Sequence, residues 1–150
     1  MHERKTTFRS VFAYARLTAM KRFTRQITAR PEHIDVLGHV NNAVWVQWIQ
    51  DVAVAHWEAV APAEFVERYF WVITRHEIDY RGNVQAGQTV TAETWVEDAP
   101  RGARFDRLMR FTGEDGSVKV EARTTWAMID RASGRLCRIR DDIAGLFLER

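Results

Sequence analysis

The chain has 150 residues, 46% of them apolar, 11% aromatic and 28% charged, with a formal net charge of +2. That balance fits one globular domain with a core of its own; it excludes a disordered chain, and two full domains would be cramped. One cysteine, Cys137, excludes an intrachain disulfide framework and a Cys-rich zinc site.

The charge is unevenly spread. Residues 1–25 carry seven basic side chains (Arg4, Lys5, Arg9, Arg16, Lys21, Arg22 and Arg25) and one acid, Glu3. The rest of the chain carries a net charge of −4. We read residues 1–22 as a basic N-terminal extension and 23–150 as a single domain. Such an extension could touch RNA, a membrane surface or an acidic partner, and it shares the Arg-rich, acid-poor character of an organelle-targeting peptide; a solvated extension is the simplest reading. The mildly acidic body argues against a nucleic-acid binder. No apolar run approaches the roughly 20 residues of a membrane span. The longest early run, Val11–Ala15, is too short for a secretory leader, so a cytoplasmic location is expected.

A first strand reads from Phe23 to Ala29 and ends before Arg30-Pro31. A loop follows, from Glu32 to Val40. Asn41 and Asn42 stand where helix N-caps stand, ahead of Asn42–Val60, in which 13 of 19 residues are apolar. Gln47, Gln50, Asp51 and Glu58 leave that helix one narrow wet stripe, and Trp45, Trp48, Ile49, Val52 and Trp57 are too bulky for a surface helix. Pro62 marks its end. After a short polar segment at Glu64–Arg68, strands read over Tyr69–Tyr80, Thr89–Glu97, Ala103–Phe111 and Val118–Met128. Val90, Ala92, Thr94 and Val96 share one face, as do Val120, Ala122, Thr124, Trp126 and Met128. Gly113–Ser117 reads as a hairpin turn, with Asp115-Gly116 at its centre. Arg131–Gly134 is a second turn, before a short strand at Leu136–Ile139 and a last helix from Asp141 to about Leu148. Strand, long buried helix and then antiparallel strands predict an α+β, hot-dog arrangement: a curved antiparallel sheet of five to six strands wrapped around one long central helix.

The loop before the helix reads His33-Ile34-Asp35-Val36-Leu37-Gly38-His39-Val40-Asn41-Asn42. It puts a carboxylate a few residues ahead of a helix N-terminus, where unpaired backbone N–H groups and the positive end of the helix dipole can hold an oxyanion. Gly38 lets a substrate approach the backbone. A base or nucleophile on one side of a polarised carbonyl, with donors on the other, is a workable hydrolytic pair. Asp35 could equally cap a turn. His39 could be a general acid, an orienting donor or a structural histidine. Asn41 and Asn42 read as caps, one locking the loop and the other facing the site.

The pattern Asp35-x-x-Gly38-His39-Val40-Asn41-Asn42, followed by Trp45 and Trp48, resembles the acyl-CoA thioesterases of the hot-dog superfamily, of the 4-hydroxybenzoyl-CoA and acyl-carrier-protein thioesterase types. Glu77-Ile78-Asp79-Tyr80 with Gly87-Gln88, and Trp126–Arg131, are similar to later strands of that family. The resemblance implies a thioester hydrolase acting on acyl-CoA or acyl-carrier-protein. It implies a homodimer with sheets side by side, often a dimer of dimers, and no metal or organic cofactor. It implies Asp35, His39 and Asn41 as the catalytic set, with backbone donors near His39–Asn41. Gly38, Val40, Asn42, Trp45 and Gln50 would contact substrate.

Three positions depart from the pattern: Trp45 where tyrosine is common, Gln50 where many relatives carry glutamate, and Leu37 where plant acyl-carrier-protein thioesterases carry asparagine. Glutamine cannot take a proton. Gln50 and Leu37 therefore keep a second class open: a hot-dog protein that binds acyl-CoA or an acyl carrier without hydrolysing it. A third class is a structural partner that docks through residues 1–22. His33, Asp35 and His39 lack a fourth ligand, so no metal is expected. Arg75, Arg81, Arg101, Arg104 and Arg107 are candidates for coenzyme A phosphates. Trp95, Phe105 and Trp126 are candidates for an acyl pocket or plain core. His56, His76, Glu58 and Cys137 read as structural or surface residues.

Overall fold

A computed structural model describes residues 21–148, so nearly all of the expected 1–22 extension lies outside the described residues. Strand β1 (Phe23–Thr28) leads through a single 3-10 turn (Pro31–His33) and the Asp35 loop into helix α1 (Asn42–Val60). A short helix α2 (Ala63–Arg68) then turns the chain into β2 (Tyr69–Tyr80). Strands β3 (Thr89–Trp95), β4 (Arg104–Gly113) and β5 (Val118–Asp130) follow, then β6 (Arg135–Leu136) and helix α3 (Asp141–Ala144).

All pairings are antiparallel. The sheet runs β1-β3-β4-β5-β2, with β6 added beside β5. The β4–β5 hairpin closes where the dipeptide signal puts it. Gly116 takes φ +80°, and its N–H donates to Gly113 O while Gly113 N–H donates to Ser117 O. Strand β2 pairs with β5 over its whole length, with one irregularity between Ile73 and Arg75. Its other edge is unpaired among the described residues.

Helix α1 begins where its sequence says. Asn41 sits outside the helix at φ −58° and ψ 139°, and its Oδ1 accepts from the Ala43 N–H at 2.8 Å. It ends at Ala61, whose N–H reaches Trp57 O, with Pro62 next. The helix buries Trp45, Trp48, Ile49, Val52, Ala53, His56 and Trp57. The sheet meets it with alternate residues, among them Val90, Ala92, Phe111, Val120 and Met128, each fully buried. Trp45 has no exposed surface and stands edge-on to both Trp48 and Phe111, with ring centroids 5.1 and 5.3 Å away. Truncating such a ring to alanine costs about 3–5 kcal/mol. A curved sheet around one long helix is the hot-dog fold.

Two expectations shift at the C-terminal end. β6 covers Arg135–Leu136 instead of Leu136–Ile139, because the chain leaves β5 and Ile139 N–H donates instead to Gly102 O. The last helix stops at Ala144 and continues as turns.

Candidate active site

The loop between Ile34 and Val40 is a small hairpin closed by a bridge between those two residues. Asp35 is its centre. Asp35 N–H donates to His39 O at 2.8 Å, and Gly38 N–H donates to Asp35 O at 3.1 Å. The side-chain Oδ1 of Asp35 accepts from Leu37 N–H at 2.9 Å and from His39 N–H at 3.2 Å. Oδ2 has no partner among the described residues. The two oxygens of one carboxylate thus differ: Oδ1 fixes the loop, and Oδ2 is left unbonded among the described residues.

Gly38 has φ +78°, a conformation that disfavours every side chain, although nothing lies within 4 Å of where a Cβ would be. The constraint at this position is backbone conformation, not space. His39 is exposed, and no partner for its ring is found among the described residues. Val36 and Leu37 at the loop tip have relative exposures of 101% and 76%, an apolar tip open to cover by another surface.

The backbone donors differ from expectation. The N–H groups of His39, Val40 and Asn41 are all used, by Asp35 Oδ1, by Asn83 Oδ1 with Val84 O, and by His33 O respectively. They are not free for an oxyanion. The Asn42 N–H, the first of α1, has no partner among the described residues and keeps that capacity. Asn41 spends its Oδ1 on the Ala43 N–H, so it is the asparagine that locks the loop. Asn42 is exposed, and its carbonyl accepts from Tyr80 Oη at 3.4 Å.

The structure brings Asp35, Gly38, His39, Asn41 and Asn42 together at one end of α1. It sets the other three apart. Val40 and Trp45, 1% and 0% exposed, are core residues. Gln50 lies two turns along α1, roughly 12 Å from its start, on the wall of an open groove with Gln47, Asp51, Val54 and Glu58. A neighbouring groove of about 440 Å³ runs between β1 and α1, from His33 past Val44 and Gln47 to Asp51. His33 itself is held by an N–H bond from Arg30 to its Nδ1 and by an edge contact with Trp48. Among the described residues, no three His, Cys, Asp or Glu side chains group to hold a metal ion.

Sequence reasoning missed Asn83. Its Oδ1 accepts from both Val40 N–H and Val84 N–H, at 2.9 and 2.8 Å, tying the loop to the β2–β3 connection. Nothing local to the motif signals a partner 43 residues away. Among the phosphate candidates, Arg107 is overturned: at 3% exposure it is inside the core and cannot meet a phosphate at the surface. Arg75, Arg81 and Arg101 are exposed but already paired with Glu77, Glu121 and Asp106. Trp95 lies under the guanidinium of Arg22, 3.9 Å from ring to cation, and lines none of these grooves.

The thioesterase-like superfamily profile matches residues 29–147, which includes the whole loop, α1 and the sheet beyond β1. The chain belongs to this superfamily. A predicted thioesterase from Bacillus stearothermophilus superposes with a TM-score of 0.74 at 26% identity, over 86% of this chain and 98% of that one. An acyl-ACP thioesterase from Bacteroides thetaiotaomicron shares the fold with a TM-score of 0.76 at 24% identity, over 89% of this chain and 56% of the other. The chloroplastic palmitoyl-acyl carrier protein thioesterase of Arabidopsis thaliana is 28% identical over 85 residues, 56% of this chain and 20% of that protein. The chain thus spans about a fifth of the length of the plant relatives it matches. Among the described residues of this superfamily member, no helix is long and apolar enough to cross a membrane.

Proposed function

We propose that this member of the superfamily hydrolyses acyl thioesters of coenzyme A or an acyl carrier protein. The observation that carries the reading is the divided carboxylate of Asp35, with one oxygen fixed by two backbone amides and the other free, on the loop that delivers the open end of α1. Asp35 Oδ2 takes a proton from water, and the water oxygen adds to the thioester carbonyl. The carbonyl oxygen becomes an oxyanion held at the α1 N-terminus, with the Asn42 N–H as donor. The C–S bond then breaks, and the thiolate leaves with the proton. In the nucleophilic variant Oδ2 adds directly, and water later cleaves the mixed anhydride. His39 is the side chain placed to supply a proton or orient the leaving sulfur. Gly38, Asn42 and Gln50 face substrate, with Val40 and Trp45 in the core.

We read residues 23–150 as one hot-dog domain acting as a homodimer in the cytoplasm, with pairs of dimers as a further step, and without a cofactor. The twelve-residue β2 offers its unpaired edge to a second copy, with Val72 and Tyr80 exposed along it. A partner there would also cover apolar surface such as Val36 and Leu37.

The test is thiol release from short, long and aromatic acyl-CoAs by wild type and Asp35→Asn. Release that Asp35→Asn loses supports the reading. Acyl-CoA bound without release from any substrate would replace it with a carrier role, the reading that Gln50 favours.

A further inference from the structure

Under the C-terminal half of α1 lies a second cavity, of about 220 Å³. Trp57, Trp71, Phe105, Trp126 and Phe147 line it. Exposed Val54, Glu58 and Arg131 form its rim. Its α1 residues begin eleven positions beyond Asn42, so it lies roughly 17 Å or more along the helix from the Asp35 loop.

Arg107 is the one charged group on its wall that is buried. Nη1 donates to His56 Nδ1 at 2.8 Å and to Thr94 Oγ1 at 3.1 Å, and both acceptors are neutral. The faces of Phe147 and Phe105 lie 5.2 and 5.7 Å from the guanidinium carbon. Among the described residues no carboxylate pairs with it. Burial lowers its pKa to about 9, which leaves it a cation at neutral pH. A buried charge without a counter-ion is costly, and neutral acceptors and ring faces offset only part of that cost.

The orphaned donors concentrate at the same place. Four buried side-chain N–H groups lack a partner among the described residues: those of Trp45, Trp71, Trp126 and the Nε of Arg107. The last three belong to residues lining this cavity. Those N–H atoms are themselves buried, so what the wall presents is the unbalanced positive charge of Arg107 set among aromatic rings. A neutral apolar guest would fill the rings and leave the charge unmet. A phosphate would meet the charge but strand the rings in contact with a strongly hydrated anion. An apolar carboxylate meets both.

We propose that this cavity binds a small free organic acid with a single-ring body, its carboxylate on Arg107 and its ring among Trp57, Phe105 and Trp126. The volume agrees, since a cavity of about 150 Å³ holds benzene. We take the acid as a free one, since the cavity matches a single ring in volume and lies roughly 17 Å or more along the helix from the loop. The assignment is independent of whether the Asp35 loop hydrolyses thioesters, because binding is read without turnover.

The test is calorimetry and tryptophan fluorescence on the full chain, titrated with phenylacetate and with its neutral counterpart phenylacetamide. Phenylacetate should bind at least about tenfold tighter than phenylacetamide, the difference expected for a charge-assisted pair. Arg107→Gln should weaken phenylacetate at least about tenfold. Val54→Trp, at an exposed rim position, should close the entrance and weaken both ligands while leaving the fold intact. That variant and the amide comparison decide the matter if Arg107→Gln fails to fold. Equal binding of acid and amide, no binding at roughly 10 mM, a folded Arg107→Gln that binds like wild type, or displacement of phenylacetate by butyryl-CoA would each overturn the assignment.

Discussion

Nη1 of Arg107 donates to Nδ1 of His56 at 2.8 Å, which requires the imidazole to be neutral with its proton on Nε2. Burial first, then the charges of Arg107 and Lys21, lower the His56 pKa from 6.5 to about 3. Below pH 6.5 the unfolded chain gains a proton here that the folded chain refuses until about pH 3. The stabilisation is therefore complete above 6.5 and is lost as pH falls toward 3. Across that window it should fall by up to roughly 1.4 kcal/mol per pH unit. His56→Gln keeps an acceptor for Arg107 but has no proton to gain. Urea midpoints measured at neutral and mildly acid pH should fall less steeply for His56→Gln; identical slopes would contradict a buried neutral imidazole.

The two oxygens of Asp35 can be separated by substitution. Asp35→Asn keeps an acceptor for the Leu37 and His39 amides, so its thermal midpoint should stay near that of wild type. Thiol release should fall by about 10²–10⁴, the usual contribution of a positioned base. Asp35→Ala removes the acceptor as well and should cost about 0.5–2 kcal/mol in stability, the range for a lost cap. Midpoints that drop equally in both variants would show that the asparagine fails as a cap.

Asn83 touches no candidate catalytic side chain, yet it holds Val40 and with it the loop. Asn83→Ala strands the Val84 amide, leaves the Val40 amide only its longer bond to Val84 O, and should cost about 1–3 kcal/mol. Thiol release should fall by about tenfold or more through misplacement of Asp35. Nuclear magnetic resonance shifts confined to residues 34–42 and the β2–β3 connection would accompany it. A variant with wild-type turnover would remove Asn83 from any role in the site.

If a second copy adds to the β2 edge, Val72 lies at the seam. Val72→Arg places like charges near each other across a two-fold axis and should shift the chain toward monomer in sedimentation velocity. A wild-type monomer, or a variant that stays dimeric, would move the interface elsewhere.

The sequence carried α1 almost to the residue, because its signals are local: an asparagine cap, a stripe of four polar positions, and Pro62 beyond. The strands were legible for the same reason, with Val90, Ala92 and Thr94 alternating onto the buried face. The burial of Arg107 was legible too, since it falls in step with Phe105, Met109 and Phe111 on the inward side of β4. Its charge, which argues for the surface, masked a period-two signal that argued for the core. The Asn83 clamp and the spending of the loop amides were not legible. The clamp arises from a contact between distant segments, and the amides of His39 and Asn41 are spent through the particular fold of the loop, neither of which a spacing rule encodes.

Helix α1 is 19 residues long, roughly 28 Å of rigid rod, with the Asp35 loop at its head and the Arg107 cavity beneath its tail. Groups that far apart share no neighbours, so substitutions at the two ends should combine additively. One rod thus gives the chain two separate addresses. Selection at either end can proceed without disturbing the other, while the tryptophans between them keep the spacing constant.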